Sequence, residues 1–252
     1  TFHKLTINSA ATIINMGAAV TINNVAGAAL DIQAGVFNVD TASLVGPGGT
    51  NGTLTIASGA TLCLGGTTGA TTATCDSGVT QTATRDMPSF QTYTFNAAST
   101  VRYLSNVAQT ISNTPTYGNL QLTPIITAGR IYTFGGAMTI NGDFTVNPSA
   151  ASALALTVNL AGTVTVASGK TTTITKTSSA TSVLDLRPAS TDYNLSTGLL
   201  NIATDGTLDA GSSASTITLT GTSGTLFTRV GTFTQGTSNV TVTSGSGSPT
   251  FL

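Results

Sequence analysis

Three short stretches decide how this chain folds: Gly52-Thr-Leu-Thr-Ile-Ala-Ser-Gly59, Gly162-Thr-Val-Thr-Val-Ala-Ser-Gly169 and Gly198-Leu-Leu-Asn-Ile-Ala-Thr-Asp-Gly206. Each reads as a strand of about five residues, alternating or β-branched, followed by a turn that ends in glycine. A strand this short cannot bury a face alone. Stacking successive copies at the ~4.8 Å spacing between paired strands builds a continuous core, which is the principle of a solenoid. Similar runs recur at Lys4–Asn8, Val101–Leu104, Leu120–Thr123, Met138–Asn141, Phe144–Asn147, Thr216–Thr220 and Val240–Thr243. The Ala-rich stretch from Pro148 to Leu156 runs into Thr157-Val-Asn-Leu and reads as loop then strand.

The expected fold is therefore all-β, a parallel β-solenoid, with two tandem β-sandwich domains as the alternative. At roughly 20–25 residues per coil, the chain makes about 10–12 coils and a rod about 50 Å long. A longer repeat overlies the short one. Phe2, with Leu5 and Ile7 after it, matches Tyr117, with Leu120 and Leu122 after it, and Val20-Thr-Ile-Asn23 returns as Met138-Thr-Ile-Asn141. Pro115-Thr-Tyr117 returns as Pro249-Thr-Phe251. Phe2, Tyr117 and Phe251 then mark equivalent phases, 115 and 134 residues apart. This divides the chain into units 1–115 and 116–252, the second ending where a third begins.

Composition closes off other classes. Of 252 residues only 8 are Lys or Arg and 9 are Asp, with no Glu and no Trp, while Thr, Ser, Gly and Ala make up more than half. Helical bundles need the long charged side chains that are missing here. Net charge −1 with scattered Arg offers no basic stripe for nucleic acid. The 40% hydrophobic content is enough for a core. No run reaches the ~20 apolar residues of a membrane-spanning helix. A start at Thr1 suits a processed or excised chain. Cys63 and Cys75 flank a loop containing Gly65, Gly66 and Gly69, and a disulfide between them fits an oxidising, extracellular or cell-surface setting.

Ser99-Thr-Val-Arg-Tyr103, Ala108-Gln-Thr-Ile-Ser112, Tyr117-Gly-Asn-Leu-Gln-Leu122 and Thr139-Ile-Asn-Gly-Asp-Phe-Thr-Val146, taken in order, resemble the β-strand repeats of large bacterial surface and secreted adhesins. The first unit departs from the pattern, with Lys4 in place of Asn119 and Asn24 in place of Gly142. The resemblance implies an extracellular repeat protein with a parallel β-helix and supplies no catalytic residues.

Enzymatic chemistry finds little footing in the sequence. Glycoside hydrolysis uses two carboxylates about 5–10 Å apart, and Asp205 and Asp209, four residues apart in a strand, stand about 13 Å apart. Both read as turn residues. Asp143, Asp205 and Asp209 lack a calcium-loop pattern. His3 has no nucleophile motif beside it, Gly46-Pro-Gly-Gly49 lacks the Lys of a phosphate loop, Gly245-Ser-Gly-Ser-Pro249 reads as a turn-rich tail, and Arg85-Asp86 reads as a loop ion pair. No catalytic residue, metal or cofactor is expected. The expected role is that of a structural module joined head to tail with further copies or repeats through Thr1, Phe2, Leu5, Ile7, Val240, Val242, Phe251 and Leu252. Thr-x-Thr pairs at Thr53/Thr55, Thr163/Thr165 and Thr216/Thr218/Thr220 place hydroxyls on one face of each strand. They offer an alternative role, binding of glycan, ice or mineral.

Overall fold

A computed structural model describes residues 1–23, 26–40, 42–48, 51–66, 70, 75, 85–211, 214–222, 224–243 and 250–252. Gly49, Gly69 and the Gly245–Pro249 tail lie outside these residues. The chain is an all-β parallel solenoid of about 9 turns. Its one short helical element is a 3-10 turn at Pro188–Ser190. The tandem-sandwich alternative fails because every strand pairing is parallel and one ladder crosses position 115 without a break.

That first ladder has ten rungs, taken in order through Ile14, Phe37, Leu62, Val101, Leu120, Phe144, Thr172, Leu200, Phe227 and Phe251. Ten rungs at ~4.8 Å span about 43 Å, shorter than the expected 50 Å. The coil count is lower because the coil from Leu62 to Val101 carries the Cys63–Cys75 loop, and because Phe144, Thr172, Leu200 and Phe227 are 27 or 28 residues apart. A second ladder covers the first coils only: the first half of Leu5–Asn15, then Ala28–Val39, Thr53–Ile56 and Thr92–Phe95. A third runs from Gln109–Ile111 through Arg130–Phe134, Ala155–Asn159, Thr181–Asp185 and Gly206–Asp209 to Thr232–Thr234. A fourth runs from Met138–Ile140 through Val164–Val166, Leu195–Thr197 and Thr216–Leu219 to Asn239–Val242.

Leu5–Asn15 and Ala28–Val39 are longer than any strand the sequence suggested, because each continues around a corner into two ladders. The corner is a bulge, and Gly35 makes it with φ +77°, where a Cβ would lie 2.0 Å from the Ser9 carbonyl oxygen. A side chain is excluded there by both backbone conformation and space.

The register settles which repeats are equivalent. Phe2 bridges Ile22 and Tyr117 bridges Ile140 through the same pair of hydrogen bonds: the aromatic N–H donates to Thr21 or Thr139, and its carbonyl accepts from Asn23 or Asn141. Those parts of the long repeat fold alike. Leu5–Ile7 and Leu120–Leu122 do not, since the first stacks on Leu30–Ile32 and the second on Val101–Tyr103. Phe251 pairs with Phe227 in the ladder of Leu120, three residues out of phase with Tyr117.

Within the rod, alternate side chains point inward and stack on the same position of the next coil. The row Tyr132, Val158, Leu184 and Leu208 is fully buried, as are Leu120, Phe144 and Thr172. Thr172, the polar member, bonds Thr197 Oγ1 at 3.0 Å. Three large phenols fill the middle of the rod. Tyr103 and Tyr117 bond each other at 3.1 Å, Tyr117 donates to the Ser112 carbonyl, and Tyr132 donates to the Ser105 carbonyl. Burial pushes all three phenols far above their ordinary titration range.

Candidate functional site: the open ends and the outer faces

At the corners between ladders, side-chain acceptors stitch one coil to the next. Asn119 Oδ1 accepts from the Asp143 N–H at 2.8 Å, Asp143 Oδ1 from the Thr171 N–H at 2.9 Å, and Asn194 Oδ1 from the Thr216 N–H at 2.8 Å. Asp143 is thus a coil-to-coil brace. Cys63 and Cys75 form the expected disulfide, both fully buried with Val36 and Leu104.

The residues assigned to the ends do sit there. Val240 stacks on Ile217 and Val242 on Leu219, in rows that are fully buried one coil earlier; each of the two valines is 36% exposed. Leu252 is 72% exposed. At the opposite end Phe2 and Ile14 are largely open and Ile7 is buried, while Thr1 is exposed and Leu5 half-buried. Phe2, Leu5, Ile7, Ile14, Met16 and Phe37 wall an apolar hollow of about 330 Å³. The hollow and the two valines are the two ends of one core, each lacking a covering coil.

The Thr side chains fall on two faces. Thr53 and Thr55 pair with Thr92 and Thr94 on the second ladder. Thr165 belongs to a longer row on the fourth ladder, Thr139, Thr165, Ser196, Thr218 and Thr241, with one hydroxyl on each of five successive rungs. Thr216 pairs with Asn239, while Thr163 and Thr220 lie just outside their strands.

The acidic residues are arranged differently from the sequence reading. Asp205 sits in a turn with φ 58° and pairs with Lys176 at 2.7 Å. Asp209 stacks instead on Asp185 of the preceding coil, a pairing hidden in the sequence by 24 intervening residues. One oxygen of each carboxylate is held by a turn, Asp185 Oδ1 accepting from the Arg187 N–H and Asp209 Oδ1 from the Gly211 N–H. Burial, and then the Asp209 charge one rung away, hold the Asp185 carboxyl above its ordinary range, partly offset by the Arg187 N–H. A carboxyl raised in the folded state binds its proton better there, so this residue costs stability as pH climbs out of the ordinary carboxylate range. Asp185→Asn keeps the acceptor and removes the charge. Thermal unfolding followed by circular dichroism is expected to show a higher midpoint for the variant at pH 7, and no difference near pH 3, below the ordinary carboxylate range.

Arg85 donates Nε–H to the Asp40 carbonyl at 2.7 Å. His3 is exposed in a bend. Among the described residues no three metal-ligating side chains come together, and no helix is long and apolar enough to cross a membrane. Comparisons with protein-family models, with curated proteins and with solved structures find no match to this chain.

Proposed function

We propose that the chain is a non-catalytic structural module of an extracellular filament or cell-surface adhesin, joined head to tail with further copies or repeats. The observation that carries this reading is the state of the core at its ends. Rows sealed inside the rod finish on half-open Val240 and Val242 at one end and on Phe2 and Ile14 at the other. A coil added in the same parallel register buries them and pairs the strand edges beside them, as strand addition does elsewhere.

Natural sheet edges are commonly protected by charge. Here residues 230–252 carry no ionisable side chain, so no charge opposes an added strand. The resemblance of Ser99–Val146 to adhesin strand repeats supports the same reading. The buried disulfide fits a non-cytoplasmic compartment. Contacts of this kind do not close on themselves, so copies joined through them form an open filament.

Negative-stain electron microscopy over a range of concentrations tests the proposal. Unbranched fibres one rod wide are expected to lengthen with concentration, and the double variant Val240→Asp, Val242→Asp is expected to remain as single rods about 43 Å long, the length of ten rungs. Wild-type protein that stays as single rods at every concentration contradicts self-joining.

A further inference from the structure

The third ladder begins abruptly. Gln109–Ile111 pairs with Arg130–Phe134 on one side and ends its sheet on the other, and Leu44–Val45 likewise ends the pair it makes with Val20–Thr21. Between these two strands runs the irregular segment Arg85–Ser89, which pairs with neither as a strand. It is held by separate bonds: Arg85 Nε to the Asp40 carbonyl, the Gly48 N–H to the Ser89 carbonyl at 3.2 Å, and Gln109 Nε2 to the Arg85 carbonyl. Because the segment stands off both strands, a cavity opens on each side of it. One, of about 400 Å³, lies against Leu44 and Val45, and the other, of about 440 Å³, lies against Gln109, Thr110 and Ser112. Asp86 and Met87 line both. Each volume falls in the range of small-molecule sites.

The second cavity holds acceptors that lack donors. Gln109 is only 5% exposed and heads a row that is otherwise aromatic and aliphatic, through Tyr132, Val158 and Leu184. The Arg85 carbonyl can only accept, so it fixes the amide nitrogen of Gln109 on that side, and Oε1, buried, has no partner. The exposed Asp86 carboxylate makes no hydrogen bond or ion pair among the described residues. A buried carbonyl oxygen left this way is costly unless a ligand or water supplies a donor. Beside these acceptors stand the hydroxyls of Thr110 and Ser112, and Met87 supplies apolar surface.

We propose that this pair of cavities binds a neutral saccharide. Its vicinal hydroxyls donate to Asp86 and to Gln109 Oε1, Thr110 and Ser112 exchange hydrogen bonds with the remaining hydroxyls, and the C–H face of the ring lies on Met87. The shared wall lets a second sugar unit occupy the neighbouring cavity. A cation suits the site less well, since Asp86 is its one carboxylate among the described lining residues and Arg85 lines the adjoining cavity. The inference does not depend on whether the rod's ends join further coils.

The test is a neutral-glycan microarray followed by amide-resolved NMR titration of the whole chain with the strongest hit, and with spermidine and oligogalacturonate as charged probes. A neutral oligosaccharide is expected to shift the amides of 85–89 and 108–112 saturably, with a Kd of about 1 mM or tighter, the scale of a small polar site. Asp86→Ala, at an exposed position, is expected to weaken that binding at least about tenfold, the loss of one charge-assisted hydrogen bond, while its circular dichroism spectrum stays unchanged. No neutral binder, shifts from spermidine or oligogalacturonate alone, or neutral binding untouched in Asp86→Ala each overturns the proposal.

Discussion

Phe144→Ala is expected to lower the midpoint of thermal unfolding by about 10 °C, corresponding to about 3–5 kcal/mol for a fully buried aromatic in a chain of this size. Phe144 is fully buried between Leu120 and Thr172 in the row that passes through every coil, and its ring lies 5.7 Å from Phe134 on the facing ladder. Truncation therefore opens a void at a position where two ladders meet. In a stack whose stability comes from nearest-neighbour interfaces, the damage concentrates on the adjoining coils. Hydrogen exchange is expected to quicken most in Asn119–Leu122 and Thr171–Ile174, and least in Ala28–Val39 at the far end. Phe144→Leu, which keeps most of the volume, is expected to cost less than about 1.5 kcal/mol. Uniform loss of protection along the rod would argue against coil-by-coil coupling.

Removing the disulfide has the second large effect. Cys63 and Cys75 close a loop of twelve residues' separation, and a cross-link of that span restricts the unfolded chain by about 3 kcal/mol. The double variant Cys63→Ala, Cys75→Ala is expected to lose roughly that much stability in denaturant titrations. The loss has a location. Cys63 sits in the strand Thr61–Leu64, between Ala28–Val39 and Thr100–Tyr103, and packs with Val36 and Leu104. Amides of those three strands should exchange faster after reduction, while Leu199–Ile202 and Gly206–Asp209 stay protected. Equal loss at both ends of the rod would contradict this placement.

Much of the architecture is legible in the sequence because solenoid strands obey local rules. Alternation in Thr53–Ile56, Val164–Val166 and Thr216–Leu219 shows which residues point inward, and the glycine after each run marks the corner. Even the single bridges of Phe2 to Ile22 and Tyr117 to Ile140 leave a trace, since both partners repeat together. What stays hidden is register. Nothing local in Asp185 and Asp209 says that a loop and a 3-10 turn bring one directly over the other. The same holds for Leu5–Ile7 and Leu120–Leu122, alike in sequence yet in different rows, because the corner at Gly35 lets early coils run through two ladders in one strand. The cavity beside Gln109 is the clearest case. Gln-Thr-Ile reads as an ordinary strand, and only the absence of a strand partner on one side turns its buried amide into an unmet acceptor.

The central claim is that coils stack in parallel, one strand spacing at a time. The third ladder offers a direct measure, because the outward row Thr110, Thr133, Asn159, Asp185, Asp209 and Thr234 begins and ends on exposed threonines. Nitroxide labels on Thr110→Cys and Thr234→Cys, read by double electron–electron resonance with the native disulfide intact, are expected to give a narrow distance distribution near 24 Å, five strand spacings. A broad distribution, or one centred beyond about 35 Å, well past five strand spacings, would contradict the stacked solenoid.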